Sequence, residues 1–344
     1  MIGFSNSTKH FRLKPAVGEN FTVETMPFNI ETKQVIRRLI EFQLMPKGWK
    51  VGHIVRFASF DNFQIGMVQD DNIYDISQVG DSRWRHTRYA MTEFIREYDR
   101  LKEFVNTEVL SVTPKTLSSV NLLPPVPLPA HLFAAPLNYQ KHVKEMTGSN
   151  IVSAGFIPQS AAELGFFLKA TGSLVGASGF IELPSLPGRE FHHEAELGVI
   201  IGKEGRNLDP ENALEVVFGY TCLIDVTLRN TPHIQQERVL RKSFETFTPL
   251  GPYVVTSDEV GDPGNLDIEL RVDGELRQKA NTSQMISSVG ELLAATSRVI
   301  TLQPGDVFAT GTSEGVGPIV PGNVVKLYIE RIGELEIPVR TRSW

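Results

Sequence analysis

Beyond a proline-studded stretch at Leu122–Pro129 (LLPPVPLP), the chain breaks into short apolar runs separated by turn residues, and this texture limits the fold most. Closely spaced prolines forbid helix and favour extended backbone, so the stretch marks a boundary. After it, AELGVIIGKE, VVFGYTCLIDVTL, PYVVTSDEV, LDIELRVDGELR and VVKLYIERIGELEIPVR carry the β-branched and aromatic residues typical of strands. One long helix is expected, Ile286–Arg298, with apolar residues at Ile286, Val289, Leu292, Leu293 and Ala295. The Val272–Glu275 step holds the Asp-Gly pair of a tight hairpin. Strands and helices do not alternate, which argues against a Rossmann or barrel architecture. The expected fold class is α+β, mostly β.

Residues 51–123 mix β-rich pieces (HIVRFASF, FQIGMVQDDNIYDIS), Asp-Asn turn signals and two helical stretches near 90–106, so they read as a small N-terminal α+β domain. Residues 1–50 read as an extension whose one patterned segment, Glu31–Leu44, predicts an amphipathic helix lying on the body. The expected division is therefore 1–50, 51–123 and a catalytic or binding domain at 124–344.

Net charge is −6 and no Lys/Arg block interrupts the sequence, which argues against a nucleic-acid footprint. No apolar run is long enough for a membrane span. The N-terminus lacks the charged lead and apolar core of a secretory signal, and although Lys9, Arg12 and Lys14 faintly resemble a transit peptide, the chain is expected in the cytoplasm. The lone cysteine, Cys222, excludes an intrachain disulfide and sits in an apolar run as a small hydrophobe.

Chemistry concentrates in FHHEAELGVIIG. Strand periodicity puts Glu194 and Glu196 on one face, roughly 7 Å apart at the backbone, while Ala195, Leu197, Val199 and Ile201 form an apolar stripe on the other. A third acid, Asp225, is the one charge inside YTCLIDVTL, a run otherwise suited to a core strand. Partly buried carboxylates brought within about 4 Å repel by roughly 4 kcal/mol per pair at an effective dielectric near 20. Either a divalent cation relieves this, with oxygen ligands favouring Mg²⁺, Mn²⁺ or Ca²⁺ over Zn²⁺, or a Lys or Arg does so on an exposed edge strand.

HHEAELGVIIGKEGRNL, GYTCLIDVTLRN, KSFETFTPLGPYVVT and TLQPGDVFATGTSEGVGP, with LNYQKHVKE before them, occur in the order found in the fumarylacetoacetate hydrolase family, which this chain resembles over about residues 51–340. The resemblance implies a catalytic domain of curled, mixed β-sheets behind a small N-terminal α+β domain, usually as a homodimer. It also implies a divalent cation (Mg²⁺ or Mn²⁺, with Ca²⁺ as an option) held by Glu194, Glu196 and Asp225. Ala134, Ala135 and Leu137 stand where the larger members place a further Asp, so the chain looks like the smaller acylpyruvate-hydrolase and hydroxymuconate-isomerase type.

The same resemblance points to His142 and Glu145 as an acid–base pair, and an i, i+3 spacing lets them meet on one helical face. It gives Lys242 the task of neutralising an enolate or holding a substrate carboxylate, and it makes Tyr139, Arg229 and Thr312 substrate contacts. Glycines 311, 315 and 317 would leave backbone amides free for an anion. Asn230, Pro232 and the Ser313–Glu314 pair depart from the family pattern, so substrate specificity does not carry over. The implied activity is metal-dependent hydrolysis of a C–C bond in a 1,3-dicarbonyl or acylpyruvate-type 2-oxo acid, of the kind met in aromatic catabolism. The alternatives are isomerisation, decarboxylation or dehydration at the same site, or a binding protein that has lost catalysis.

Overall fold

A computed structural model describes residues 55–109, 111–148 and 161–343; the helix expected at 31–44, with the whole 1–50 extension, lies outside them. The described chain opens with an antiparallel meander, β1 (Arg56–Phe60), β2 (Gln64–Gln69) and β3 (Asn72–Asp75). Its turns hold Asp61, Phe63 and Asp70 at φ 46°, 54° and 49°, the left-handed backbone that Asp tolerates better than most residues. A single helix follows, α1 (Ala90–Glu108), where the sequence suggested two. Met91, Phe94, Ile95, Leu101 and Val105 give it one continuous buried stripe.

Short elements come next: β4 (Lys115–Thr116), β5 (Leu132–Ala134), α2 (Gln140–Gly148), α3 (Ala161–Leu164), β6 (Phe167–Leu168), β7 (Leu174–Val175), β8 (Ile181–Leu183) and β9 (Phe191–His193). The strands β10 (Ala195–Ile201), β11 (Val217–Ile224) and β12 (Thr227–Leu228) lead to α4 (Arg238–Lys242) and β13 (Thr248–Thr256). The remainder comprises α5 (Ser257–Val260), β14 (Asp267–Val272), β15 (Glu275–Asn281), α6 (Val289–Val299), β16 (Val307–Ala309), β17 (Gly317–Ile319), β18 (Val324–Ile329) and β19 (Gly333–Thr341).

Among the described residues the large sheet runs β4-β3-β2-β1-β13-β11-β10-β16-β5-β6, with β7 also on β13. Its neighbours are antiparallel except β16–β5 and β13–β7, so the sheet is mixed. A second sheet runs β15-β14-β18-β19-β8, and a third β12-β9-β17. Every residue of β10, β11 and β13 is buried, whereas β18 and β19 alternate buried and open positions. The centre of the large sheet is therefore covered on both faces, and the second sheet presents one face to it. Cys222, with its thiol 3.6 Å from the Gly333 carbonyl, joins Leu327, Leu335 and Ile337 in that core.

The predicted hairpin forms between β14 and β15, with Asp273 and Gly274 at φ 51° and 82°. Positive φ at both turn residues is what a two-residue hairpin needs. Two boundaries move. PYVVTSDEV ends as strand at Thr256, and SDEV turns into α5 with Asp258 and Glu259 in its first turn, where acids favour a helix. The later helix starts at Val289 because Ser288 caps it: the Ser288 hydroxyl accepts from the Glu291 amide at 3.3 Å, and Glu291 accepts from the Ser288 amide at 2.7 Å. Ile286 is committed elsewhere, its amide donating to the Asn138 carbonyl at 2.8 Å.

Candidate functional site

Strand register brings the acids together. In the β10–β11 ladder Ala195 lies opposite Ile224 and Glu196 opposite Leu223. The next antiparallel pair is Glu194 with Asp225, and the Asp225 amide donates to the Glu194 carbonyl at 2.9 Å. Directly opposed residues share a face, as do residues two apart on one strand. Glu194, Glu196 and Asp225 thus converge, each offering a carboxylate oxygen within 4.8 Å of the others, and all are buried. Both strands break here: β9 ends at His193, and the run expected as one strand splits at Asp225 into β11 and β12.

Cations already crowd the cluster. The Lys242 ammonium donates to Glu194 Oε2 at 2.7 Å, to Thr227 Oγ1 at 2.8 Å and to Asp225 Oδ2. Lys169, which the sequence reading passed over, donates to Asp225 Oδ1 and to the Phe247 carbonyl, the latter at 2.9 Å. Arg229 Nη2 lies 2.9 Å from Glu194 Oε1. Burial alone would raise the Glu194 pKa, but Lys242 and Arg229 hold it well below the usual carboxylate range. Glu196 goes the other way, pushed up by burial and by the charge of Asp225. Among the described residues it has no ion pair and is held by the Gly311 amide at 2.6 Å. Three converging oxygen donors, one without a cationic partner, fit a hard divalent ion.

The His142–Glu145 pair forms on α2, with Nδ1 3.0 Å from Glu145 Oε2. A carboxylate at Nδ1 fixes the proton there and leaves Nε2 as the basic nitrogen. His142 is buried, and the Gly315 amide binds the other Glu145 oxygen at 3.1 Å. Burial would raise the Glu145 pKa, but the bonds from His142 and Gly315 lower it overall. The amides expected to receive an external anion at Gly311 and Gly315 are thus bound to the protein's own carboxylates.

Two amide side chains position these pieces. Asn138, fully buried, donates to the Ser287 and Thr310 carbonyls at 2.9 and 2.8 Å and accepts from the Ser287 amide at 2.8 Å, tying the start of α2 to β16 and α6. Gln278, on the mostly open strand β15, accepts from the Ala195 amide at 3.0 Å and donates to Thr312 Oγ1 at 2.8 Å. No periodicity signal marks Lys169, just after β6, or Gln278, inside β15; a buried polar residue is visible only once its neighbours are known.

A cleft of about 170 Å³ is lined by His142, Glu194, Glu196, Arg229, Lys242 and Thr312, together with Leu137, Phe167, Asn230, Arg238 and Arg241. Most of the residues singled out from the sequence therefore share one cavity. Tyr139 does not line it; its hydroxyl is buried without a hydrogen-bond partner among the described residues, and burial and the Glu196 charge push its pKa up.

Comparisons with known proteins agree on the family. Residues 131–340 match the family described as fumarylacetoacetate (FAA) hydrolase C-terminal. A maleylpyruvate hydrolase from Aquipseudomonas alcaligenes is 38% identical over 291 residues, spanning 83% of this chain and 100% of its own. The crystal structure of maleylpyruvate hydrolase from Sphingobium sp. SYK-6, in complex with manganese(II) ion and pyruvate, superposes with a TM-score of 0.73 at 38% identity, covering 84% of this chain and 100% of that one. The 5-carboxymethyl-2-hydroxymuconate delta-isomerase from Mycobacterium smegmatis gives 0.63 at 28% identity, covering 85% and 100%.

Proposed function

The chain belongs to the fumarylacetoacetate hydrolase family and is an enzyme of it, and from that premise we propose that it hydrolyses a C–C bond in an acylpyruvate-type 2-oxo acid with the help of Mg²⁺ or Mn²⁺. The observation that carries this reading is the sharing of one cleft by two carboxylates of the cluster, Glu194 and Glu196, and a carboxylate-oriented histidine, with Asp225 converging on them from behind. Glu194, Glu196 and Asp225 would hold the ion. When bound it supplies Lewis acidity toward the oxygens of the oxo acid, as the manganese and pyruvate in the Sphingobium enzyme suggest.

The chain's own residues do the rest. His142 Nε2 takes a proton from water, and Glu145 holds the ring and stabilises its charged form. The water oxygen bonds to the distal carbonyl carbon. As the C–C bond breaks, its electron pair passes to the pyruvate fragment as an enolate, which recovers a proton from His142. Lys242, fixed on Glu194 and Asp225, keeps a positive charge beside that developing anion. Arg229 and Thr312 line the cleft as substrate contacts. The products are a carboxylic acid and pyruvate.

A panel of acylpyruvates and oxaloacetate, assayed by NMR with Mn²⁺ present, tests this. Hydrolysis gives two carbon fragments from an acylpyruvate. A single product of unchanged mass would favour the isomerase reading, which the likeness to the Mycobacterium smegmatis enzyme keeps in view.

A further inference from the structure

Leu137 sits in a backbone conformation that its own side chain disfavours. Its φ is 41°, in the left-handed region where a Cβ crowds the chain and only glycine is free of that penalty. The neighbours on both sides enforce it. Pro136 has a ring-fixed φ, and Asn138 is fully buried with its side chain committed to the Ser287 carbonyl, the Ser287 amide and the Thr310 carbonyl. Gly311 closes on Asn138 so tightly that a Cβ there would come within 2.7 Å of the Asn138 Cβ, so the turn has no room to relax. Other non-glycine residues also have positive φ, but among the described residues Leu137 alone of them lines the cleft.

Strain of this kind persists where the surroundings over-determine it, and it gathers at functional sites. The core makes no use of this leucine, which is half-buried and lies outside the packed hydrophobic cluster. The cleft does. Its apolar lining is Ala135, Pro136, Leu137 and Phe167. β5 and β6 pair with Ala134 opposite Phe167, so these residues gather at one edge of the large sheet. The Phe167 ring is held in turn by Arg238 and Lys242, at 5.1 and 5.6 Å from its centroid.

We propose that Leu137 is a specificity-determining residue: with Phe167 it forms the apolar wall that reads the hydrocarbon segment attached to the scissile carbonyl, and it selects acylpyruvates in which that segment is extended. The proposal rests on the acylpyruvate reading above and names its substrate class. A glycine at 137 would relieve the backbone and remove the wall, and burial of a ligand's methylenes against leucine is what offsets the strain.

The test compares hydrolysis of acetylpyruvate, which ends in a methyl group, with pentanoylpyruvate, which carries a longer alkyl tail and the same charge, by the Mn²⁺-loaded full chain. Wild type is expected to favour the longer acyl group, and Leu137→Gly and Leu137→Ala to lower that ratio of kcat/KM values by about 3- to 30-fold. Leu137→Met, of similar apolar volume, should keep most of it. Urea midpoints check the backbone: Leu137→Gly should unfold at a higher midpoint than Leu137→Ala, because both lack the leucine side chain and only alanine carries the left-handed penalty. Calorimetric Kd values for the unreactive pair 2-oxobutanoate and 2-oxooctanoate give an independent readout, with wild type preferring the longer acid and Leu137→Gly losing the preference. No preference in wild type, or an equal change for both ligands of a pair in the variants, overturns the specificity role. A lower midpoint for Leu137→Gly than for Leu137→Ala overturns the strained backbone on which it stands. If wild type cleaves neither dioxo acid, the hydrolase reading fails while the two Kd values still decide the role of Leu137.

Discussion

His142 touches no member of the carboxylate cluster by hydrogen bond, so its loss should separate chemistry from ion binding. His142→Ala is predicted to lower kcat by about 10²- to 10⁴-fold. Its calorimetric Mn²⁺ affinity should stay within a few-fold of wild type. Glu145 has a folded pKa below its ordinary value, so the stability it contributes is present above the unfolded value near ~4.3 and is lost as pH falls through the lower folded value. The gap in urea midpoint between wild type and Glu145→Gln should therefore hold from pH 7 to about 5 and close in more acidic buffer. Lys169 and Asp225 form a pair buried at 0% and 1% side-chain exposure. Lys169→Met leaves Asp225 still paired with Lys242, and about 1–3 kcal/mol of stability should be lost in chelated protein, read by urea denaturation. Glu194 and Glu196 were legible in the sequence because period-two spacing puts them on one face. Lys169 was not, since its partner lies 56 residues away and FFLKA has no pattern of its own.

At the scale of elements, local chemistry decided most outcomes. The Asp273-Gly274 turn follows from residues adjacent in sequence, and it forms; VVKLYIERIGELEIPVR, read as one strand, instead folds back on itself as β18 and β19. The helix boundary at Ser288 also carried a local signal, since Ser-x-x-Glu at 288–291 is a capping box that the apolar periodicity from Ile286 obscured. Ser288→Ala is predicted to cost about 1 kcal/mol, seen as a lower urea midpoint with unchanged slope. Register is different in kind. Nothing in YTCLIDVTL states that Asp225 will stand opposite Glu194; that pairing depends on how β10 and β11 align, and a one-residue slip would turn the acids to opposite faces. The sequence held the three acids, and the ladder made them a cluster.

For the whole molecule, mixed sheets, a buried central layer and one site at a corner between sheets agree with the family fold that the ordered motifs implied. What motif order could not supply was how the site is braced: Asn138, just before α2, binds the Thr310 carbonyl next to Gly311, and Gln278 on β15 binds the Ala195 amide between the two glutamates, each remote in sequence from the backbone it holds. The measurement that bears most directly on the reading is a rate titration: protein stripped by chelator, acylpyruvate as substrate, Mn²⁺ added stepwise, and products followed by NMR. No cleavage before addition, saturation near one ion per chain, two carbon fragments, and no response in Glu196→Gln are the predicted results. Full activity in the stripped protein, or an undiminished response in Glu196→Gln, would contradict a metal-dependent hydrolase built on Glu194, Glu196 and Asp225.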